Sequence, residues 1–164
     1  MKSLDMDAVD LQLLDALQQD SSQSNQSLAE RFGLSPATCL RRVRRLREAG
    51  WIVREVAILD PGRVGALLSA VIEISLDRQD AAALDAFEAR VVADEAVQQC
   101  YRVSPGPDFV LIVTVRDMPA YQALAQRLFT SDANVRNVKA FFAVKRSKFA
   151  PRVALGAAAG RAGA

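Results

Sequence analysis

The sequence predicts an α+β protein of two small domains, a helical N-terminal part built on a helix-turn-helix and a βαββαβ unit of ferredoxin-like type. Three observations carry this. Residues 7–50 read as three short helices with start and stop signals, the second and third joined by a tight turn at Gly33. Beyond residue 66, short apolar runs and helically spaced segments follow one another in the order strand, helix, strand, strand, helix, strand, the split arrangement of ferredoxin-like folds. Five arginines, Arg41, Arg42, Arg44, Arg45 and Arg47, fall within the seven residues RRVRRLR (41–47).

The first helix is expected over 7–19. Asp7 can cap it, and Val9, Leu13, Leu14 and Leu17 form an apolar stripe at helical spacing. The polar run DSSQ (20–23) ends it. A second helix fits 25–32, with Ser24 as cap and Leu28, Ala29 and Phe32 turned inward; Gly33 follows, where a left-handed backbone is cheap only for glycine. Ser35-Pro36 then places a capping hydroxyl before a proline at the first helical position, so the third helix runs from Pro36 to about Ala49 and stops at Gly50. WIVREVAIL (51–59) is rich in β-branched residues and reads as a strand or short β-ribbon. Asp60-Pro61-Gly62 is a turn signal that marks the domain boundary.

In the second half, strands are expected over 67–76, 97–103, 109–116 and 138–147, with helices over 80–93 and 118–130. Leu84, Phe87 and Val91 give one helix its inner face; Tyr121, Leu124 and Leu128 give the other. Ser104-Pro105-Gly106-Pro107 is a turn. The expected division is a DNA-binding domain over 1–60, a linker over 61–66, an effector domain over 67–150 and a disordered tail over 151–164, where ALGAAAGRAGA is low in complexity.

Composition narrows the function. The 164 residues are half apolar, enough for one ordinary domain or two of about 60–90 residues. No apolar run approaches the roughly 18 residues of a membrane span, and the acidic start reads unlike a signal peptide, so the expected location is the cytoplasm. There is no histidine, which removes Ser-His-Asp and Cys-His triads and the usual zinc ligands. Cys39 and Cys100 are far apart, and neither a disulfide nor a metal site is expected of them. No catalytic residue, metal or cofactor is assigned.

The net charge of +2 does not argue for nucleic acid, but its distribution does. A helix turns about 100° per residue. Counted from Thr38 around the helix axis, Arg42 lies about 40° to one side, with Arg45 about 20° and Arg41 about 60° to the other, so these four share a face. On the same count Cys39, Leu40, Val43 and Leu46 lie between roughly 80° and roughly 200° from Thr38 and share the opposite face. A run of charge by itself usually only faces water. Here the cationic side has no obvious partner in sequence and sits on the second helix of a helix-turn-helix, which suits the major groove. Thr38, Arg41 and Arg42 are expected nearest the bases and Arg45 at phosphate. Free N–H groups near Ser35 can bind a phosphate, and Arg54 is a candidate wing contact.

Residues 6–20, 24–52 and 115–121 resemble the Lrp/AsnC family, the feast/famine regulators, and GLSPATCLRRVRRL (33–46) matches that family's turn and recognition helix almost throughout. The resemblance, which spans about residues 4–149, implies a winged helix-turn-helix joined to a βαββαβ effector domain, often called the RAM domain. It implies double-stranded DNA as partner, homodimers formed partly through the sheets and commonly assembled into octamers, and an amino-acid effector held between effector domains. The family's effector loop usually reads small residue, Gly, acid, any, Asp, aromatic. Ser104, Asp108 and Phe109 match it, whereas Pro105 replaces the glycine and Gly106 the acid. Asp108 could hold a ligand ammonium, and Gly106 could let backbone N–H groups approach a carboxylate. On the last strand, Val138 and Ala140 stand where relatives often carry threonines, so the pocket is more apolar, the effector differs or the response is lost. Two alternatives remain open. One is an architectural DNA-binding protein without effector response. The other is a tetrapyrrole decarboxylase on the same fold, which the missing histidine disfavours.

Overall fold

The computed structural model describes residues 6–60, 63–65 and 68–155. The chain divides into two units, residues 6–57 with 149–155, and residues 58–148.

In the first unit, α1 (Ala8–Gln19) begins in a reciprocal cap: the Asp10 N–H donates to the Asp7 side chain at 2.9 Å, and the Asp7 N–H donates to the Asp10 side chain at 3.3 Å. Ser24 caps α2 (Asn25–Phe32), whose end turns through Gly33 at φ 65°, while the Leu34 N–H reaches the Ala29 carbonyl at 2.8 Å. That left-handed turn redirects the chain into α3 (Pro36–Glu48), capped by Ser35. Leu13, Leu14, Ala16 and Leu17 of α1 pack with Leu28 and Ala29 of α2 and with Cys39, Val43 and Leu46 of α3. Leu40 corrects the expected inner face: it is half exposed, because the core centres on Cys39, Val43 and Leu46 and leaves position 40 at the margin.

The strand expected over 51–59 does not form. Ile52 packs on the helical core, but residues 53–60 are exposed and irregular. β-branched residues favour a strand only where another strand accepts their ladder, and none pairs with this segment among the described residues. The Arg63 N–H donates to the Asp60 carbonyl at 3.0 Å, as the turn signal requires; Pro61 and Gly62 lie outside the described residues. The expected tail also needs correction. Gln18 and the Val153 backbone exchange two hydrogen bonds, at 2.8 and 2.9 Å, and Arg152 pairs with Asp15 at 2.8 Å, so Arg152 and Val153 are fastened to α1. Residues 156–164 lie outside the description.

The second unit has the element order β1 (Leu68–Leu76), α4 (Ala81–Val92), β2 (Val97–Arg102), β3 (Phe109–Val115), α5 (Met118–Ala125) and β4 (Val135–Phe142). The sheet order is β2-β3-β1-β4, antiparallel throughout, which is the split βαββαβ topology the sequence predicts. Asp80 and Asp117 cap the two helices. A wide π turn at Gln126–Thr130 follows α5 and turns the consecutive Leu128 and Phe129 inward. β4 starts earlier than expected and ends at Phe142, because its ladder with β1 spans Leu76↔Val135 to Ala70↔Phe142; the Ala143 N–H still reaches the Ser69 carbonyl at 2.9 Å, and residues 144–148 are irregular.

Alternation sorts the sheet into two faces. Ala70, Ile72, Ile74 and Leu76 of β1 and Phe109, Leu111, Val113 and Val115 of β3 are buried against Phe87, Val91, Leu124, Leu128 and Phe129. On the opposite face, Val71, Tyr101 and Phe141 are exposed.

Candidate nucleic-acid interface and effector loop

The start of α3 is built by its own first residues. The Ser35 hydroxyl oxygen accepts the Thr38 N–H at 3.2 Å and donates to Thr38 Oγ1 at 2.9 Å, which fixes the first turn. With Cys39, Val43 and Leu46 buried, the side facing away from the core carries Ala37, Leu40, Arg41 and Arg44. Arg41 is exposed and forms no ion pair among the described residues.

The other four arginines are engaged, so the cationic side lacks partners only in sequence. Arg42 Nη1 donates to Asp7 Oδ2 and to Asp10 Oδ1, each at 2.8 Å. Arg45 Nη2 donates to Asp10 Oδ2. Arg44 pairs with Glu48 on its own helix at 2.7 Å, and Arg47 pairs with Glu55 at 2.6 Å. Asp10 is fully buried, and it is the buried charged residue among the described residues. The Asp10 N–H and then the Arg42 guanidinium hold the Asp7 carboxyl below the ordinary carboxylate range. Of the positions expected at DNA, the structure therefore brings Ser35, Thr38 and Arg41 together at the outward start of α3. Arg42 and Arg45 lie docked on α1, and Arg54 is exposed in the irregular segment after the helices. Cys39 is a core residue, and burial pushes its thiol up, away from reactivity.

Sequence reasoning about α3 alone missed Asp10. The signal was present: Asp10, Leu13, Leu14 and Leu17 share helical spacing, so Asp10 occupies an apolar-stripe position where a carboxylate needs a cationic partner.

The loop expected to hold an effector joins β2 to β3. Ser104, Pro105 and Gly106 are exposed, with Gly106 at φ 129°. The Asp108 carboxylate is already used: its Oδ2 accepts the Leu76 N–H at 2.7 Å and Gln79 Nε2 at 3.3 Å. The Phe109 ring is buried, 4.8 Å from the Phe87 ring, so this aromatic faces the core and not the loop surface. Val138 and Ala140 pair with Ile74 and Ile72 on the helix-covered side of the sheet, at its β4 edge. Phe109 pairs with Ile74 from the other flank, so Phe109, Ile74 and Val138 form one row across three strands.

Comparison with known proteins agrees with both units. Residues 6–53 match the model of a winged helix-turn-helix DNA-binding domain, and residues 69–153, more than half of the chain, match the Lrp/AsnC ligand binding domain. The chain belongs to the Lrp/AsnC family. The Bkd operon transcriptional regulator of Pseudomonas aeruginosa is 37% identical over 141 residues, covering 86% of this chain and 92% of the relative. An AsnC family regulator from Agrobacterium tumefaciens superposes with a TM-score of 0.84 at 32% identity, over 90% of this chain and 96% of that one. A Neisseria meningitidis transcriptional regulator in complex with L-Met gives 0.83 at 30% identity, with the same coverage. These Lrp/AsnC relatives are transcription regulators, not enzymes, and this chain carries both their DNA-binding helix-turn-helix and their ligand-binding domain.

Proposed function

We propose that this Lrp/AsnC chain recognises duplex DNA in a sequence-dependent manner through Ser35, Thr38 and Arg41, and that a small effector, an amino acid, tunes its DNA affinity or assembly. The observation that carries the DNA reading is the outward start of α3. Pro36 has no N–H and Ser35 takes those of Thr38 and Cys39, so the capped helix start presents the Ala37 N–H, a threonine and an arginine without an ion-pair partner among the described residues. The Ala37 N–H suits a phosphate, and an arginine can reach guanine O6 and N7 with two parallel bonds. Arg54 is a secondary contact, to the backbone.

The effector reading rests on the 104–108 loop and on the L-Met bound to the Neisseria relative. Asp108 Oδ1 has no hydrogen-bond partner among the described residues and can accept a ligand ammonium, while Gly106 leaves room for a carboxylate beside the backbone. Ser104 and Pro105 line the exposed side of the loop, and the row from Phe109 to Val138, with Ala140, sets the apolar floor. Homodimers joined through the open sheet face, four of them assembling to an octamer, complete the assembly; Val71, Tyr101 and Phe141 supply apolar surface for it. The cytoplasm is the compartment that a DNA ligand implies.

Selection of duplexes from a random library by the purified protein, followed by thermal unfolding with each of the twenty amino acids, tests both halves. A shared sequence motif should emerge, and at least one amino acid should stabilise the protein, by about 2.7 kcal/mol at a hundred times its dissociation constant. Unselective capture would overturn the sequence-dependent reading. Twenty amino acids without a shift would leave a DNA-binding protein with no effector response, the alternative that Asp108's bond to the Leu76 N–H favours.

A further inference from the structure

We infer that Asp10, a residue that DNA does not reach, is a specificity-determining positioning residue: it holds Arg42 and Arg45 off the phosphate backbone, so that a helix with five arginines does not bind duplexes of any sequence. This rests on the DNA reading above.

Four groups make the device. Asp7 and Asp10 of α1 face Arg42 and Arg45 of α3, and their formal charges cancel. The Asp10 side chain has no exposed surface, whereas the side chains of Arg42 and Arg45 keep 24% and 43% of theirs. The guanidinium groups therefore sit at the rim, both anchored inward on the Asp10 carboxylate. Arg44 and Arg47 are different. Their acids are exposed, and ion pairs in open solvent are weak enough for a phosphate to displace them. Asp10 cannot turn to solvent, so its partners stay.

The Nε atoms of Arg42 and Arg45 are buried without a hydrogen-bond partner among the described residues. Their docking thus depends on the terminal nitrogens and on the charge of Asp10, not on a complete set of hydrogen bonds. With that charge removed, water or a phosphate becomes the better partner. Non-specific DNA affinity is electrostatic, and each phosphate neutralised adds about 0.9 to the slope of log K against log salt. Releasing one or two arginines would therefore strengthen binding to every sequence and erode discrimination.

The test uses the full-length protein and two duplexes, one selected by the wild type and one scrambled from it, titrated by fluorescence anisotropy across a salt series. Asp10→Asn keeps the size and the cap oxygen but removes the charge. Its expected phenotype is a slope on scrambled duplex steeper by about 1–2, with roughly tenfold loss of the selected-to-scrambled affinity ratio. A merely structural role would lower both affinities together and leave the slope alone, and that result would overturn the inference. Arg45→Met keeps the apolar stem and decides the matter even where Asp10→Asn does not fold. Its slope should equal the wild-type value, since Arg45 is not on phosphate; a slope shallower by about 1 would show that it is. Wild-type protein that binds neither duplex would overturn the DNA reading itself, whereas wild-type binding with Asp10→Asn folded and indistinguishable from it would overturn only the role of Asp10.

Discussion

In the N-terminal unit a fully buried carboxylate pairs with arginines of α3, whereas the buried set of the C-terminal unit is apolar, with its charges at the rim. Arg90 pairs with Asp132, Arg127 with Asp94, and Arg102 with Asp85 and Glu88, all outside that core. The contrast matters because the two arrangements do different work. Apolar burial contributes stability in proportion to area removed from water. A buried ion pair contributes little net stability, since desolvation offsets most of its attraction, but it holds its partners in one geometry. The unit that must present a defined face to a polyanion contains the buried charge. The ligand-binding unit has the larger apolar core.

The comparison can be broken where it predicts the largest loss. Phe109 is fully buried against Phe87, so Phe109→Ala should cost about 3–5 kcal/mol in urea unfolding. A cost below about 1 kcal/mol would mean that this ring is not the core element described here. A smaller effect is expected at the loop. Asp108→Ala leaves the Leu76 N–H without its side-chain acceptor, for about 1–2 kcal/mol, and should abolish stabilisation by any amino acid that stabilises the wild type. Retention of the full ligand shift in that variant would separate Asp108 from effector binding.

Local signals were the legible ones. Asp7, Ser24, Ser35, Asp80 and Asp117 all cap the helices that the sequence assigns to them or places just after them, and Gly33 adopts the left-handed turn that its position demands. These signals act within four residues, so a single sequence contains them. What needed a second element was harder to read. Angles around α3 identified the outward Arg41 but could not show that Asp10, thirty-odd residues earlier, claims Arg42 and Arg45. The segment 51–59 has strand composition and no strand to join. The last strand begins at Val135 because its partner β1 extends to Leu76, which no pattern within 135–142 reveals. At the loop that the resemblance assigns to an effector, Phe109 turns into the core against α4 and Asp108 turns to the Leu76 N–H of β1, contacts that no pattern within the loop reveals.

The central claim is that α3 meets DNA through its outward start, with Arg41 at the base edges. The direct measurement is the affinity of Arg41→Ala and wild type for the wild-type-selected duplex, by anisotropy at one fixed salt concentration. Arg41 lies outside the Asp10 cluster and outside the helical core, so the substitution should leave folding intact. The account predicts binding weaker by about 1–3 kcal/mol, with relaxed preference at one base position. Equal affinity and unchanged preference would contradict it.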